Sequence, residues 1–261
     1  MSAADAVKAP WWQSFFDADY IRVWGEFKAE GRTASEVQAL WDLLQLRPGS
    51  RLLDAPCGYG RVSRPLAQRG AVVLGVDYSA HMLAHAEQDR GHIPVSQLRY
   101  LQHDLRFPLP EAGFDAACNL FTSLGYGTEE DDLAILRTLC GGVRPGGLVF
   151  IDTSHRDTVV SMLARGIRPS NRLSDGTLVV EEMEFDPVSG RSHNTWYWSG
   201  PAGAGEKAAS LRIYTITELV KLVEAAGLRF CALHPGCSAE PYKAAGPDMG
   251  GRAGILARRE N

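Results

Sequence analysis

Three acidic residues and two glycines stand at positions where they could form a ligand site. Asp54, Asp77 and Asp104 each end or follow an apolar run, and Gly58 and Gly60 come shortly after the first of these acids. A glycine-bearing loop between a strand and a helix lets the backbone approach a ligand closely beside the helix N-terminus. An acid at the carboxyl end of a parallel strand is placed to accept hydrogen bonds from a ribose diol. Together the residues predict a nucleoside-sized cleft at one sheet edge.

The residues around the first acid indicate which nucleoside this cleft would take. A dinucleotide fingerprint reads G-x-G-x-x-G, and here Ser63 stands where its third glycine belongs. The carboxylate of Asp54 would repel a pyrophosphate and attract a cation. S-adenosylmethionine has no phosphate, carries a sulfonium and an ammonium, and offers a ribose diol to Asp77 and an adenine amine to Asp104. The pattern therefore predicts this cofactor.

The elements that must position these residues alternate between helix and strand, which is typical of a parallel α/β sheet. A β-rich segment then follows, divided by turn or loop chemistry at 186–190 and 200–205, and it predicts a small antiparallel insertion. A short Gly/Ala stretch at 202–209 is predicted to be a loop. The predicted helices are 11–30, 33–46, one ending near 68, 79–90, 129–140 and 217–226. The predicted strands are 51–54, 72–77, 98–102, 114–120, 148–151, 177–185, 195–198, 211–214, 228–233 and 254–257.

Composition and charge exclude several classes of protein. The 261 residues carry 27 Lys and Arg against 31 Asp and Glu, a net charge of −4, which argues against a nucleic-acid or anionic-membrane surface. Five cysteines without a C-x-x-C pair indicate reduced thiols and no zinc site. We also expect no secretory signal and no membrane span of about 20 apolar residues. His81 and His85 lack a third ligand at a sensible spacing, so no metal is predicted, and the expected location is cytoplasmic.

Residues 51–151 resemble the class I S-adenosylmethionine-dependent methyltransferases. The stretch LLDAPCGYG keeps that family's acid and two glycines, with Pro56 where a glycine is usual, and the RPGG turn before Leu148 is similar too. The resemblance implies a doubly wound, seven-stranded, mostly parallel sheet with helices on both faces. We expect a single domain over 1–261, with a helical lid (1–47), a cofactor-binding core (48–165), a β-rich cap (166–214) and a C-terminal helix with closing strands (215–261).

The resemblance also assigns cofactor-binding positions. By position, Asp54, Cys57, Gly58 and Gly60 would line the methionine portion, Asp77 would hold the ribose hydroxyls and Asp104 the adenine amine. Asn119 and Leu120 would lie under the transferable methyl group. The further cofactor-binding residues predicted are Ala55, Tyr78, Met82, His103 and Leu105.

The acceptor side is predicted from strand ends and aromatic residues. His155 follows the strand 148–151 and could act as a general base, because an imidazole titrates near working pH; the alternative is that it only caps the next helix. His193 is a second candidate base. Tyr126 and Tyr214 could orient the acceptor, and Arg212 could hold an acceptor carboxylate. From the aromatic cluster that extends to Phe27, the predicted acceptor contacts are Trp11, Tyr20 and Trp24.

The acceptor itself is expected to be a small molecule. The run from Asn119 to Tyr126 and the later Arg212–Thr215 resemble the sugar-amine and natural-product members of the family. The run lacks the Asn/Asp-Pro-Pro-aromatic motif of amino-methylating enzymes of nucleic acids and glutamine. No cysteine is placed as the reactive one of the Pro-Cys loop in cytosine-5 methyltransferases. Two alternatives stay open: methylation of RNA or protein, and cofactor binding without transfer. The acceptor atom (N, O or C) and the choice between monomer and homodimer also stay open.

Overall fold

The computed structural model describes residues 10–25, 30–242 and 251–260. Its helices are α1 (Trp12–Phe15), α2 (Ala18–Gly25), α3 (Glu30–Leu43), α4 (Ser63–Gln68), α5 (Ala80–Gln88), α6 (Glu129–Gly142), α7 (Arg156–Ala164) and α8 (Ile216–Ala225). Its strands are β1 (Arg51–Asp54), β2 (Val72–Asp77), β3 (Leu98–Gln102), β4 (Phe114–Asn119), β5 (Val143–Ser154), β6 (Ser170–Arg172), β7 (Leu178–Asp186), β8 (Arg191–Gly200), β9 (Gly203–Arg212), β10 (Leu228–Pro235) and β11 (Arg252–Arg259).

The described residues form a seven-stranded main sheet in the order β3-β2-β1-β4-β5-β11-β10. Strands β1 to β5 pair in parallel, whereas β11 runs antiparallel to both β5 and β10. The predicted fold class is confirmed. Strand order reverses between β1 and β4, and ligands of open α/β sheets bind in the crevice outside such a switch point.

The central strands are apolar throughout because helices cover both faces of the sheet. Leu52 and Leu53 are both fully buried, and they belong to two different hydrophobic clusters on opposite faces. Side chains alternate between faces along a strand, so a continuous apolar run fills both cores at once. This burial fixes where β1 ends and therefore where Asp54 emerges.

The β-rich segment forms a second, antiparallel sheet in the order β6-β7-β8-β9. The predicted insertion is present, but the predicted loop at 202–209 is wrong, because β9 runs unbroken from Gly203 to Arg212. The predicted strand 211–214 is confirmed only for its first two residues. Gly200 pairs with Gly203 across a tight turn. At Gly205 a Cβ would lie 2.5 Å from the ring of Trp198, so the small residues are what allow β9 to pack there.

The N-terminal helices pack against this second sheet. The predicted helix 11–30 is broken, since α1 ends at Phe15 and α2 begins at Ala18. Val23 is buried in a cluster with Leu173, Val179 and Trp198 of the cap, and Trp24 packs against it. The predicted lid positions 1–9 and 26–29, including Phe27, lie outside the described residues. So do positions 243–250 and 261 of the predicted C-terminal segment.

Within the described ranges, no helix combines the length and the apolar character needed to span a membrane.

Candidate cofactor and acceptor site

A cavity of about 1200 Å³, open to solvent, lies at the carboxyl ends of β1, β2 and β4. The aromatic residues Trp12, Phe16 and Tyr20 of the N-terminal segment line one side of it. Of the predicted site residues it is lined by Asp54, Cys57, Gly58, Asp77, Tyr78, Met82, His103, Asp104, Leu105, Leu120, Tyr20 and Tyr126. The structure therefore brings most of the predicted cofactor positions, from five separate strand ends and loops, into one crevice.

Asp54 lies at the floor of the cavity and is almost fully buried. Ser63 Oγ donates a 2.5 Å hydrogen bond to Oδ2, and Cys118 Sγ lies 3.4 Å from Oδ1. Burial raises the pKa of this carboxyl to about 6, because removal from water disfavours the charged form. A cation bound nearby would restore the carboxylate, so the site has the chemistry to select a positively charged ligand.

Asp77 ends β2 with both carboxylate oxygens fixed by the backbone. The Gly58 amide donates to Oδ2 and the Ser79 amide to Oδ1, each at 2.8 Å. Each carboxylate oxygen has two lone pairs, so each keeps one acceptor site for a ligand hydroxyl. Burial is the first cause that raises the pKa of Asp77. The arrangement suits a diol.

Asp104 lines the far end of the cavity, where it forms a salt bridge with Arg106. Arg106 Nε donates to Oδ1 at 3.0 Å and Nη2 to Oδ2 at 2.6 Å. The hydrogen bond from Arg106 is the first cause that lowers the pKa of Asp104. Arg106 also lies 5.4 Å from the ring centroid of Trp12, which packs edge-on against Tyr78. Sequence reasoning did not anticipate this partner, whose backbone amide also donates to Oδ1 at 3.0 Å.

The other end of the cavity is aromatic. Tyr126 stacks on Phe16 with ring centroids 5.9 Å apart, and Trp11 packs on it edge-on at 4.9 Å. Burial raises the pKa of both Tyr126 and Tyr20, so both hydroxyls stay protonated and can donate or accept hydrogen bonds. Walls of this kind suit an apolar or cationic small molecule.

Residues 52–147 match the family model described as a methyltransferase domain. The glycine N-methyltransferase of Oryctolagus cuniculus is 29% identical over 164 residues, which is 56% of this chain and 56% of that protein. A putative methyltransferase of Bacillus subtilis, YqeM, is 27% identical over 172 residues, 59% of this chain and 67% of that protein. The chain thus spans about half the length of the glycine N-methyltransferases that it matches. Over residues 52–147 the chain is therefore similar to a methyltransferase domain.

Solved structures share its fold. The CcbJ methyltransferase of Streptomyces caelestis has a TM-score of 0.76 at 19% identity, over 95% of this chain and 98% of that one. CalS10 of Micromonospora echinaspora, an amino pentose methyltransferase solved with S-adenosylmethionine bound, has a TM-score of 0.67 at 20% identity, over 92% of this chain and 96% of that one. At these identities the likeness establishes the architecture of the methyltransferase fold for nearly the whole chain.

The residues that line the cavity fit S-adenosylmethionine. Asp77 keeps acceptor sites for a ribose diol, and Asp54 is a buried acid that a cationic methionine portion would ionise. Gly58 has a φ of +56°, and an added Cβ there would touch Met82 at 3.4 Å, so glycine leaves the floor of the loop open. Asp54, Gly58, Asp77 and Met82 would hold the cofactor.

Three predicted cofactor residues act through the protein instead of lining the cavity. Gly60 has a φ of +77°, and a Cβ there would collide with the hydroxyl of Tyr100. Asn119 is fully buried and donates from Nδ2 to the carbonyl of Ala55 at 2.9 Å. Gly60, Asn119 and Ala55 therefore shape the loop after β1 and do not line the pocket.

His155 lies outside the cavity lining. It occupies the N-cap position of α7 without a side-chain cap hydrogen bond, and its Nε2 is 2.8 Å from Thr158 Oγ1. Burial lowers the pKa of His155, because removal from water disfavours the charged imidazole. His155 thus stands at the N-cap position, as the alternative predicts, and the structure does not place it in the cavity lining as a base.

The remaining acceptor-side predictions also fall outside the lining. Tyr214 is buried and donates to Asp132 Oδ2 at 2.6 Å, while Arg212 pairs with Glu218 at 2.9 Å. His193 is exposed on β8, since its neighbours in the strand take the inward face. Trp11 Nε1 donates to the Ser210 carbonyl at 3.1 Å, and Trp24 packs in the cluster that holds the cap. None of these five residues is among the residues that line the cavity.

Sequence reasoning missed the cavity-lining residues Trp12, Phe16, Arg61 and Phe121. The cluster of aromatic residues in the N-terminal segment indicated that Trp12 and Phe16 could contact a ligand. It did not indicate which of its side chains face the cavity. Phe121 has a φ of +63° and the next residue, Thr122, +58°, a conformation that non-glycine residues rarely adopt. Asp152 supports it, since its carbonyl accepts from the Thr122 amide at 3.0 Å and its carboxylate is held by Arg252. Strain of this kind is common at ligand sites.

Over the described residues, no group of three or more His, Cys, Asp or Glu side chains could hold a metal ion. The His81 and His85 rings lie 4.9 Å apart on α5.

Proposed function

We propose that this protein transfers a methyl group from S-adenosylmethionine to a small-molecule acceptor. The observation that carries the proposal is the enclosure of the cavity by residues of the chain's own N-terminal helices and of the loop after β4. Trp12, Phe16 and Tyr20 come from the N-terminal segment, and Phe121 and Tyr126 come from the loop after β4. A pocket walled in this way admits a small acceptor and leaves little room for a macromolecular one.

Methyl transfer from a sulfonium depends more on the alignment of cofactor and acceptor than on proton transfer. S-adenosylmethionine supplies an electrophilic methyl group on a sulfonium, and displacement at that carbon is in line. Asp54 and Asp77 orient the cofactor, while the aromatic walls orient the acceptor and exclude water. Among the described lining residues His103 is the one histidine, and its Nε2 lies 3.0 Å from the Phe107 carbonyl, at the Asp104 end. The protein therefore acts chiefly through proximity.

The names of similar proteins suggest which acceptors to test first. The glycine N-methyltransferases and the sugar N-methyltransferase KedS8 are both named for nitrogen acceptors. Small amines, including amino acids and amino sugars, are therefore the first members of an acceptor panel, followed by phenols and carbon acids.

The test is formation of S-adenosylhomocysteine by the purified protein with each acceptor. We expect turnover with at least one small molecule and none with bulk RNA or unfolded protein substrates. Asp77→Asn serves as the control for cofactor-dependent signal. Turnover with RNA or protein alone would establish the macromolecular alternative, and tight cofactor binding without turnover on any class would leave a binding protein.

We further propose a reducing, cytoplasmic location and a monomer or homodimer. All five cysteines are free thiols, two of them buried, which fits a compartment that keeps thiols reduced. Cell fractionation and light scattering of the purified protein test these two points.

A further inference from the structure

Arg191 is the first residue of strand β8 in the cap, and it donates hydrogen bonds to three consecutive carbonyl groups of the loop after β4. Nη1 donates to the Gly127 carbonyl at 3.0 Å, and Nη2 donates to the carbonyls of Gly125 and Tyr126 at 3.2 and 3.3 Å. A guanidinium is planar and has five N–H donors in a fixed arrangement, so contacts with three successive carbonyls define where that backbone lies. The loop carries Tyr126, whose side chain lines the cavity.

The same guanidinium is held within the cap by Ser210 of β9. Nε donates to Ser210 Oγ at 2.8 Å, and Nη2 donates to the Ser210 carbonyl at 2.7 Å. That carbonyl also accepts the hydrogen bond from Trp11 Nε1, and the ring of Trp11 packs on Tyr126 with centroids 4.9 Å apart. Arg191 therefore binds the main chain of Tyr126 directly, and it shares an acceptor with the tryptophan that packs on the ring of Tyr126.

Gly125 is the point where the loop touches the cap most closely. Its amide donates to Asp132 Oδ1 at 2.8 Å, and its carbonyl accepts from the Arg212 amide at 2.8 Å as well as from Arg191. Gly125 has a φ of +90°, and an added Cβ would collide with the Arg212 carbonyl, so glycine is required for this approach. The cap and the loop are thus in direct backbone contact where Arg191 binds.

We propose that Arg191 is a positioning residue that sets the place of Tyr126 at the aromatic end of the cavity, so that the cap contributes to acceptor recognition. The five hydrogen bonds of its guanidinium go to uncharged oxygen atoms, four of them in the main chain. Arg191 is absent from the cavity lining, whereas Tyr126 stacks on Phe16 there. A displaced Tyr126 changes the space for an acceptor and leaves Asp54 and Asp77 in place. The inference rests on the proposed function, because it assigns this end of the cavity to the acceptor.

Steady-state kinetics with a small-molecule acceptor test the role of Arg191. Arg191→Ala should raise the acceptor KM by about tenfold or more, because several charged hydrogen bonds are lost, and should leave the dissociation constant of S-adenosylhomocysteine close to the wild-type value. Arg191→Lys keeps the charge, but a single ammonium cannot replace the planar fork, so the rise in KM should be smaller. Arg172, on β6 of the same cap, is exposed and donates to the Gly176 carbonyl at 3.1 Å. Arg172→Ala is therefore the matched control and should keep the wild-type KM.

A double-mutant cycle measures whether Arg191 acts through Tyr126. Tyr126→Ala removes the ring, so adding Arg191→Ala to it should raise the KM little further, and the two effects should be strongly non-additive. The same cycle with Arg191→Lys replaces it if Arg191→Ala folds poorly. Effects on KM that multiply would show two independent residues and overturn the proposal. Equal losses in kcat, KM and cofactor affinity would indicate a general role in folding and also overturn it.

A spectroscopic measurement tests the same inference without any acceptor. In protein labelled with 3-fluorotyrosine, the fluorine resonance of Tyr126 is assigned by its loss in Tyr126→Phe. Arg191→Lys should shift or broaden this resonance, and it should leave that of Tyr100, on β3 at the edge of the main sheet, unchanged. A shifted Tyr126 resonance in a protein that turns over no acceptor would support the positioning role and count against the proposed function alone. An unchanged resonance overturns the positioning role, even where turnover is observed.

Discussion

Asp54 and Asp77 end neighbouring strands, but their surroundings prepare them for different tasks. Asp77 receives two backbone N–H groups, which hold its carboxylate in one orientation with lone pairs left for a ligand. Asp54 receives a hydroxyl and a thiol, and burial is the first cause that raises its pKa to about 6. Asp77 is therefore oriented to accept hydrogen bonds from hydroxyl groups, whereas the ionisation of Asp54 depends on a nearby charge.

Asp77→Asn should weaken S-adenosylhomocysteine binding by about 1.5–3 kcal/mol, roughly tenfold to a hundredfold. The amide group replaces one acceptor oxygen and opposes a backbone N–H, so both the diol contact and the loop are affected. Titration calorimetry measures the change. Asp89→Asn, at an exposed acid after α5, is the control and should bind like the wild type. Unchanged affinity in Asp77→Asn would contradict the ribose assignment.

The affinity for S-adenosylmethionine should fall as pH falls below 6. In the free protein the Asp54 pKa is about 6, and a bound cation lowers it, so binding releases a proton. Dissociation constants should therefore rise toward about tenfold per pH unit below that value and level off above it. Measurements between pH 5 and 8 test this.

Two comparisons make the pH experiment specific to Asp54. Asp54→Asn should bind more weakly at pH 8 and show no such slope, and 5′-methylthioadenosine, which lacks both cationic groups, should bind wild type without it. The same slope in Asp54→Asn would show that another group titrates.

At the scale of elements, the cavity is completed by segments distant from the Rossmann-like core in sequence. Helices α1 and α2 are held to the cap by the Lys207–Asp17 ion pair at 2.8 Å and by the cluster around Trp198. The cap in turn supports the aromatic side chains that line the pocket. The second sheet therefore determines where the residues of the predicted lid lie.

Trp198→Ala should lower the free energy of unfolding by about 3–5 kcal/mol, because it empties the centre of this cluster. The neighbouring Tyr197 points the other way and is 41% exposed, so Tyr197→Ala should cost less than about 1 kcal/mol. Urea denaturation of both variants gives the comparison. Equal losses would mean that the cap is not anchored through Trp198.

At the scale of the whole molecule, ligand binding and folding are linked because the crevice exists only in the folded sheet. Its floor comes from β1, β2 and β4, and its cover comes from the N-terminal helices. Anything that binds this assembled site stabilises the native state against unfolding.

S-adenosylhomocysteine at about 100 times its dissociation constant should add about 2.7 kcal/mol and raise the melting temperature by roughly 5–10 °C. A thermal-shift assay measures this. NAD should produce no shift, and Asp77→Asn should shift less at the same ligand concentration. A shift with NAD of the same size would contradict the choice of cofactor.

The local pattern of the sequence was sufficient for the main sheet and for the positions of the acids at its strand ends. Continuous apolar runs specify buried parallel strands, and each run ends where a polar residue must leave the core, so the strand-end positions of Asp54, Asp77 and Asp104 follow from the sequence itself. The glycines between β1 and α4 predict a tight loop, and this prediction does not depend on tertiary contacts.

Only the tertiary structure decided the acceptor side. Whether Trp11 or Trp12 faces the cavity depends on how α1 rotates against β9, and the break between α1 and α2 sets that rotation. His155 and Tyr214 have the right residue types near the right edge, but local packing directs them to Thr158 and Asp132. The partners of Arg61 come from α3 and from the loop after β4, more than 20 positions away in either direction. The direction of these side chains depends on contacts between segments that are distant in sequence. The hydrophobic periodicity within one segment does not predict those contacts.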